Sequence, residues 1–473
     1  MPIDLSSLDI DAELLRRIPR TLALRHHVLA LAADGNVLTV ALANVNDDEA
    51  IERVRLATGM HVRAVAASPD AIRERLHGIY SPYSAGANDE APAIRIVDTV
   101  HDRAIAARAS DVHIEPTRSG GRIRQRVDGI LRELKQLSPE LLAPVTSRIK
   151  LLAGMDIADH RQPQDGRYEI EIEGRGIDVR VSSVPTLDGE KLVLRLLDHH
   201  SRVPRLEELG MPEAILKTFR RAVHSPSGFI IVCGPTGSGK TTTLYATLSE
   251  RNVESSNVCS VEDPIEIRIP GVAQVQVNDR AGLSFPAALR SFLRQDPNVV
   301  MIGEMRDAQT ASAALSASLG GQLVLTTLHS SDAGGAIERI GELGVERAAL
   351  ATTLSAIVSQ RLVRKLCVEC RERRPTSTTA LACLGARCQD AFAPIGCSSC
   401  DQTGYRGRIG IFELLRFTVP LREALARGAG GSQIASLAAQ SGYRSLVSDG
   451  LEKVLEGQTS FEELERICGG DAW

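Results

Sequence analysis

Residues Gly234-Pro235-Thr236-Gly237-Ser238-Gly239-Lys240-Thr241-Thr242 constrain this chain more than any other stretch. The apolar run Phe229-Ile230-Ile231-Val232-Cys233 precedes them, and Leu244-Tyr245-Ala246-Thr247-Leu248 follows. That order predicts strand, glycine-rich loop, helix. The spacing Gly-x4-Gly-Lys-Thr is the Walker A pattern. Its glycines let consecutive backbone N–H groups turn towards one point, and with the helix N-terminus they cradle phosphate. Lys240 is expected on the β- and γ-phosphates and Thr241 on Mg²⁺. An ordinary glycine-rich turn is the alternative; the strand and helix around the loop argue against it.

Two further strands are expected to end in polar groups beside this loop. Val258–Val261 leads into Glu262, Asp263 and Glu266, and Asn298–Ile302 leads into Gly303-Glu304, the Walker B position. Acids at strand C-termini beside a P-loop can reach Mg²⁺ or the attacking water. Gln322–Leu328 is read as a third strand, with Thr326, Thr327 and His329 at its end. One acid alone would say little; three polar strand ends around one phosphate loop form a coherent site.

Ahead of this α/β domain, residues 1 to about 80 read as a small α/β domain. Strands at Val28–Ala32 and Val37–Ala43 flank the turn Asp34-Gly35-Asn36. A helix from Asp47 stops at Gly59, a strand covers Val62–Ala66, and Ser68 caps a helix reaching Tyr80. No catalytic constellation stands out there; simple packing is one reading, but a separate small domain ahead of an ATPase suits partner docking. Ser81–Pro92 reads as a flexible linker.

A second domain follows, to about residue 203. Ala93–Ala107 is expected to be helical. In the strand Asp111–Pro116, His113 and Glu115 fall on the polar face, and in the next strand Arg122, Arg124 and Arg126 share a face. Leu141–Met155 reads as a helix, and three strands cover Tyr168–Leu197. The arginine row means either a solvated face or a site for phosphate or single-stranded nucleic acid. Aromatic residues make up only 3% of the chain and none interleaves with the row, which weakens the nucleic-acid reading.

Past Val358, Cys367-x2-Cys370 and Cys397-x2-Cys400 are separated by 26 residues. Paired CxxC knuckles fit a Cys₄ structural zinc site, with a redox pair or unbound thiols as the alternatives. Cys383 and Cys388 lack this spacing and read as spectators; Cys233, Cys259 and Cys468 read as packing residues. The last 60 or so residues are expected to be helical.

The 473 residues are too many for one core. Lys plus Arg number 55 and Asp plus Glu 59, a net charge of −4 that does not favour a nucleic-acid partner. No apolar run approaches the roughly 18 residues of a membrane span, and the start lacks the basic and apolar regions of a signal peptide. The expectation is a cytosolic chain, in which nine cysteines point to metal or bystander thiols rather than disulfides.

Together these motifs resemble the secretion and type IV pilus assembly ATPases over almost the whole chain. Ser110–Pro116, Arg126-Val127-Asp128-Gly129, Pro163–Arg167 and Asp178–Ser182 resemble that family's second N-terminal, PAS-like domain. Ser260–Glu266 resembles its aspartate box, Leu293–Pro297 through Asp307 its Walker B block, and Leu325–His329 its histidine box. The tetracysteine segment with Gly404–Arg408 completes the match. There are departures: the family's usual Gly-His is Gly321-Gln322 here, and Asn298 stands where Asp is usual.

The resemblance implies a multidomain α/β protein: a RecA-like P-loop ATPase core (204–360) preceded by two small α/β domains (1–80 and 93–203). A tetracysteine zinc subdomain (361–410) and a helical C-terminal end (411–473) follow. It implies a homohexameric ATP hydrolase using Mg²⁺ and structural Zn²⁺, peripheral to the cytoplasmic face of the inner membrane. Arg180 and Arg195, with Arg290 and Arg294, are implied as phosphate contacts. Glu262 and Glu304 share water activation and Mg²⁺ binding, and His329 belongs to the same site. The implied system is type II secretion, with a bitopic inner-membrane protein docked on the N-terminal domain and a polytopic platform protein as further partner. A type IV pilus extension ATPase is the alternative, and a retraction ATPase fits less well. From another class come a DNA translocase and a nucleotide-dependent switch, supported only by the strand Arg122–Arg126.

Overall fold

The structure is a computed structural model that describes residues 26–45, 47–69, 92–172, 175–198, 202–375 and 390–469, with ten scattered positions among residues 5–23 and 71–76. Residues 81–91 of the expected linker, the end of the helix expected to reach Tyr80, and both Cys383 and Cys388 lie outside the described residues. The chain forms two compact units, Met1–Leu197 and Asp198–Trp473.

In the first unit, β1 (Leu29–Asp34), β2 (Val37–Leu42), α1 (Asp48–Thr58) and β3 (His61–Ala66) build a three-stranded sheet in the order β1-β2-β3. Asp47 caps α1 through the N–H of Ala50, and Gly59 ends it in the left-handed conformation with φ 68°. That conformation carries little steric cost for glycine.

The same unit holds α2 (Pro92–Ala106), β4 (Asp111–Thr117), β5 (Gly120–Val127), β6 (Ile130–Leu137), α3 (Pro139–Leu152), β7 (Gln164–Ile172), β8 (Arg175–Thr186) and β9 (Gly189–Leu197). The strands form an antiparallel sheet ordered β6-β5-β4-β9-β8-β7. Val112, Ile114, Ile123, Val179, Val181, Leu192 and Leu194 face one way and pack with α2 and α3 residues such as Val97, Val100, Val145 and Ile149. The period-2 alternation leaves the opposite face polar.

On that polar face the arginine row is neither simply solvated nor free. Glu115, buried, accepts from Arg122 at 2.9 Å and Arg124 at 2.7 Å and pairs with Lys191 at 3.2 Å. Arg126 lies 3.6 Å from Asp111. Burial pushes the Glu115 carboxyl up, but bonds from Arg124, Lys191 and Arg122 outweigh it and hold its pKa at about 2.

The second unit opens with α4 (Glu213–Val223), β10 (Gly228–Cys233), α5 (Lys240–Arg251), β11 (Val258–Glu262), β12 (Ala273–Gln276), α6 (Phe285–Phe292), β13 (Val299–Ile302), α7 (Ala308–Leu319) and β14 (Leu323–Leu328). It continues through α8 (Ala333–Glu342), α9 (Arg347–Thr353), β15 (Leu354–Leu366), the small hairpin β16 (Glu372–Pro375) with β17 (Asp390–Ala393), and β18 (Tyr405–Arg416). Four helices close the chain: α10 (Val419–Ala426), α11 (Gly431–Ala439), α12 (Leu446–Leu455) and α13 (Phe461–Cys468). The sheet runs β12-β11-β13-β14-β10-β15-β18, parallel except for β18 at the edge. β10 and β13 are buried at every position, as strands covered on both faces must be.

β15 and β18 are longer than the sequence suggests. They pair from Ala356↔Arg416 to Leu366↔Tyr405, so the sheet itself extends across both ends of the segment read as a tetracysteine subdomain. The helical end begins only at Val419. Alternation of small and charged residues over Arg406-Gly407-Arg408-Ile409-Gly410 hides β18 in the sequence; its partner β15 supplies the ladder. Among the described residues no helix is long and apolar enough to cross a membrane.

Glu115 supplies a pH test. Its depressed carboxyl stabilises the fold fully above the ordinary carboxylate range, and that contribution fades as pH falls through about 2. Glu115→Gln is expected to lower the thermal midpoint of the first unit at pH 7. The gap from wild type should narrow between pH 5 and pH 2, as read by circular dichroism melts; a gap that stays constant would contradict the pairing.

Candidate functional site

The parallel strands end together. Cys233 pairs with Leu328, Val261 with Ile302, and Ile302 with Thr326, so the segments after β10, β11, β13 and β14 leave the sheet at one edge. In open α/β sheets the carboxyl edge is where ligands bind. Gly234–Gly239, Glu262, Gly303-Glu304 and His329 all occupy it.

The loop after β10 is wound by glycines at positive φ: Gly234 at φ 152°, Gly237 at 77° and Gly239 at 87°. Gly234 N–H donates to Leu328 O at 3.3 Å, and Thr243 N–H donates to Gly239 O at 3.1 Å. Lys240 opens α5, and its Nζ donates to Gly234 O and Pro235 O, each at 2.9 Å. Burial lowers the Lys240 pKa, and the Glu304 charge opposes that shift. Ser238 Oγ, buried, has no hydrogen-bond partner among the described residues. A phosphate oxygen in the loop could satisfy such a group.

Glu304 follows β13 in a tethered loop. Met305 N–H donates to Thr327 O at 3.2 Å, and Thr327 Oγ1 donates to Gly303 O at 2.7 Å. Its carboxylate pairs with Arg306 and stands 3.9 Å from His329 Nε2. Burial and the Lys240 charge lower the His329 pKa, against the pull of Glu304. Lys240, Glu304, Arg306 and His329 thus form one electrostatic cluster.

Glu262 is different. Its carboxylate is buried and accepts from Ser260 Oγ at 2.5 Å, Gln274 Nε2 at 3.1 Å and Tyr245 Oη. The Tyr245 hydroxyl also accepts Glu266 N–H at 3.0 Å. Burial, then the Glu262 charge, raises the Tyr245 pKa. The three donors tie Glu262 to its own strand, to β12 and to α5, whereas Glu304 keeps company with Lys240 and His329. Periodicity places both acids at strand ends; it carries no sign of Tyr245 or Gln274.

The remaining phosphate candidates are spread out. Arg290, in the last turn of α6, and Arg294, in the turn just past its end, are both exposed, and Arg294 Nη1 donates to Arg290 O at 2.9 Å; no hydrogen bond among the described residues joins either to the loop. In the first unit Arg195 donates to Asp111 at 3.1 Å, and Arg180 lies 3.6 Å from Asp178. These are intradomain pairs. Yet register lines up Arg167↔Arg180↔Arg195↔Asp111↔Arg126 across five strands. Like charges directly opposite on a sheet repel; in this row of four arginines Asp111 pairs with Arg195 and Arg126, and Asp178 with Arg180. The motif Pro163–Arg167 carried Arg167 in the sequence, but only strand pairing makes it a neighbour of Arg180. Gln322 lies before the start of β14, where its carbonyl accepts Gly228 N–H at 3.2 Å, at the sheet edge opposite His329. Asn298 Oδ1 accepts Asn257 N–H at 2.7 Å and joins two strand starts.

Cys367, Cys370, Cys397 and Cys400 converge at the end of the β15–β18 ribbon, with all four sulfurs within 4.8 Å of one another. Zn–S bonds of about 2.3 Å in a tetrahedron require sulfurs about 3.8 Å apart. Cys367–Cys397, Cys370–Cys400 and Cys397–Cys400 are separated by 3.9, 3.8 and 3.7 Å. Gly396 N–H donates to Cys370 Sγ at 3.3 Å, while Cys397 and Gly404 N–H donate to Cys400 Sγ at 3.2 Å each. Burial pushes the Cys400 thiol up, but those two donors outweigh it and hold its pKa at about 6. The donor set fits a metal that takes thiolates.

Residues 86–466 match the Type II/IV secretion system protein family, and residues 1–85 match the MshEN domain. The chain is 46% identical to the type II secretion system protein E of Aeromonas hydrophila, over 81% of this chain and 77% of that protein. It is 37% identical to the type IV pilus assembly ATPase PilB of Myxococcus xanthus, over 98% of this chain and 88% of the relative. In fold it is similar to the Legionella pneumophila ATPase DotB, with a TM-score of 0.59 and 22% identity over 81% of this chain and 97% of that one. On the breadth of these matches, the chain belongs to the type II/IV secretion system protein family.

Proposed function

We propose that this protein is an ATP-hydrolysing motor that powers pseudopilus assembly and export in a type II secretion system. The observation that carries this reading is the convergence of the glycine loop, Lys240, Glu304 and His329 on one sheet edge. Residues Gly234–Thr242 hold the nucleotide phosphates, with Thr241 on Mg²⁺. Mg²⁺ supplies charge neutralisation for the transferring phosphoryl group. Glu304 orients the attacking water beside His329, and Glu262, held by Tyr245, Ser260 and Gln274, positions that strand end. Arg290 at the end of α6 and Arg294 just past it contribute phosphate contacts. The 98% coverage by the pilus assembly relative supports a second reading, extension of a type IV pilus. Deletion of the gene separates the two: loss of exported enzymes with surface pili intact favours secretion, and the reverse favours the pilus.

The protomer acts as part of a homohexamer at the cytoplasmic face of the inner membrane. Residues 1–80 dock a bitopic membrane protein, 93–203 form the second domain, 204–360 the motor core, 361–410 the zinc region and 411–473 the end. A polytopic platform protein receives the movement. Arg180 and Arg195 contribute phosphate contacts from the second domain. The arginine row supports this, because its four cations outnumber Asp111 and Asp178 and a phosphate would balance the remainder.

Lys240→Ala is expected to abolish Mg²⁺-dependent phosphate release, and Glu304→Gln to bind ATP while hydrolysing it at least about a hundredfold more slowly. Wild-type turnover by Lys240→Ala would sink the reading. Arg180→Ala with Arg195→Ala should reduce partner-stimulated turnover without lowering the thermal midpoint; unchanged turnover removes both from the site.

Zn²⁺ held by Cys367, Cys370, Cys397 and Cys400 closes the tip of the β15–β18 ribbon, a structural role that adds folding energy. Metal analysis of purified protein should give about one zinc per chain. Cys397→Ser or Cys400→Ser should lose it and lower the thermal midpoint, and substitution of Cys383 or Cys388 should not. Metal-free protein that is folded and fully active would exclude the site.

A further inference from the structure

Gln360, in the middle of β15, touches the phosphate loop at both ends. It is 2% exposed, and both functional atoms of its amide are used. Nε2 donates to the carbonyl of Ser238 at 2.8 Å, and Oε1 accepts from Thr243 Oγ1 at 2.6 Å. Ser238 belongs to the glycine loop and Thr243 to the first turn of α5, so one side chain spans the junction that carries Lys240. The fit is close. A Cβ on Gly239 would stand 2.8 Å from Gln360 Nε2, and one on Gly234 would stand 2.4 Å from Gln360 O. The outer glycines of the loop are therefore small because β15 lies directly against them.

We infer that Gln360 is a positioning residue for nucleotide binding: it sets the orientation of the Ser238–Gly239 peptide and of the first turn of α5. The physical argument is directional. Gly239 sits at φ 87°, a conformation from which the Ser238 carbonyl could rotate at little steric cost. The Gln360 amide holds that carbonyl towards β15. The N–H of the same peptide belongs to Gly239 and points the opposite way, because the two groups of a planar trans peptide are antiparallel. The N–H is thereby presented on the loop's inner side, where phosphate is bound. Thr243 fixes the second reference point, so loop and helix keep one relative orientation before nucleotide arrives. Preorganisation of this kind lowers the ordering cost of binding. This inference rests on the nucleotide reading of the loop and adds to it a residue 120 positions away from Lys240 in sequence.

The test compares equilibrium ATP and ADP affinity, turnover and thermal midpoint in the full-length protein. Gln360→Met keeps the volume and removes both hydrogen bonds; Thr243→Val removes the hydroxyl end alone, and Thr243→Ser retains it. Gly450→Ala is the structural control, since its Cβ would stand 2.3 Å from Leu464 Cδ1, within the C-terminal helices, and it takes no part in the Gln360, Ser238 and Thr243 contacts. Gln360→Met is expected to weaken nucleotide binding by about tenfold, the size of one hydrogen bond's net worth. Turnover at saturating ATP should change less than the Michaelis constant does. Thr243→Val should weaken binding in the same direction, and Thr243→Ser should bind as wild type. Gly450→Ala should lose stability with affinity intact. If Gln360→Met and Thr243→Val lower the midpoint as Gly450→Ala does but bind nucleotide as wild type, the role is merely structural and the inference falls. Should Gln360→Met fail to fold, wild-type affinity in Thr243→Val overturns it alone. A wild-type protein that binds neither ATP nor ADP removes the nucleotide reading itself, and this inference with it.

Discussion

The alignment of parallel strand ends governs the second unit. Hydrogen bonds between β10, β14 and β13 place Cys233 level with Leu328, and Ile302 level with Thr326 two residues earlier, and the chain leaves the sheet just beyond each strand end. The glycine loop, Glu262, Glu304 and His329 are delivered by that constraint. A slip of one residue in β13 would send the loop bearing Glu304 elsewhere and would also turn a fully buried apolar strand inside out. The core therefore protects the site geometry: Ile231, Val300, Ile302 and Val324 hold the register through packing, and the polar loop ends inherit it.

Two carboxylates at that edge show how environment divides roles. Glu262 and Glu304 both end apolar strands. One is enclosed by a tyrosine, a serine and an amide, and so is committed to holding β11, β12 and α5 together. The other faces a lysine and a histidine and an exposed arginine. The oxygens of the first carboxylate are claimed by donors from its own strand, β12 and α5, whereas the second stands among cations.

The β15–β18 ribbon links two features that are distant in sequence. Gln360 lies against the phosphate loop, and Cys367 follows the last residue of the same strand. The ribbon is further pinned by Glu463 of α13, which is buried and accepts from Arg364 Nη2 at 2.7 Å. A metal at the far end would hold the ribbon closed where backbone pairing stops.

Much of this was legible in the sequence because it is local. Strand–loop–helix around Lys240 follows from an apolar run, glycine spacing and a helix former, all within about twenty residues. The α1 caps at Asp47 and Gly59 and the paired CxxC knuckles are likewise short-range signals, since each depends on backbone geometry over a few residues. Tertiary structure alone decided what touches across the sheet. Arg122 and Arg124 share a face by alternation, but that Glu115 lies between them depends on the pairing of β4 with β5. Arg167 joins Arg180 and Arg195 only through the register of three strands. The enclosure of Glu262 and the grip of Gln360 on the loop depend on side chains brought together from up to about 120 residues apart. Periodicity in a sequence records which side of an element is buried; it does not record the partner that buries it, because the partner is chosen by packing of the whole sheet.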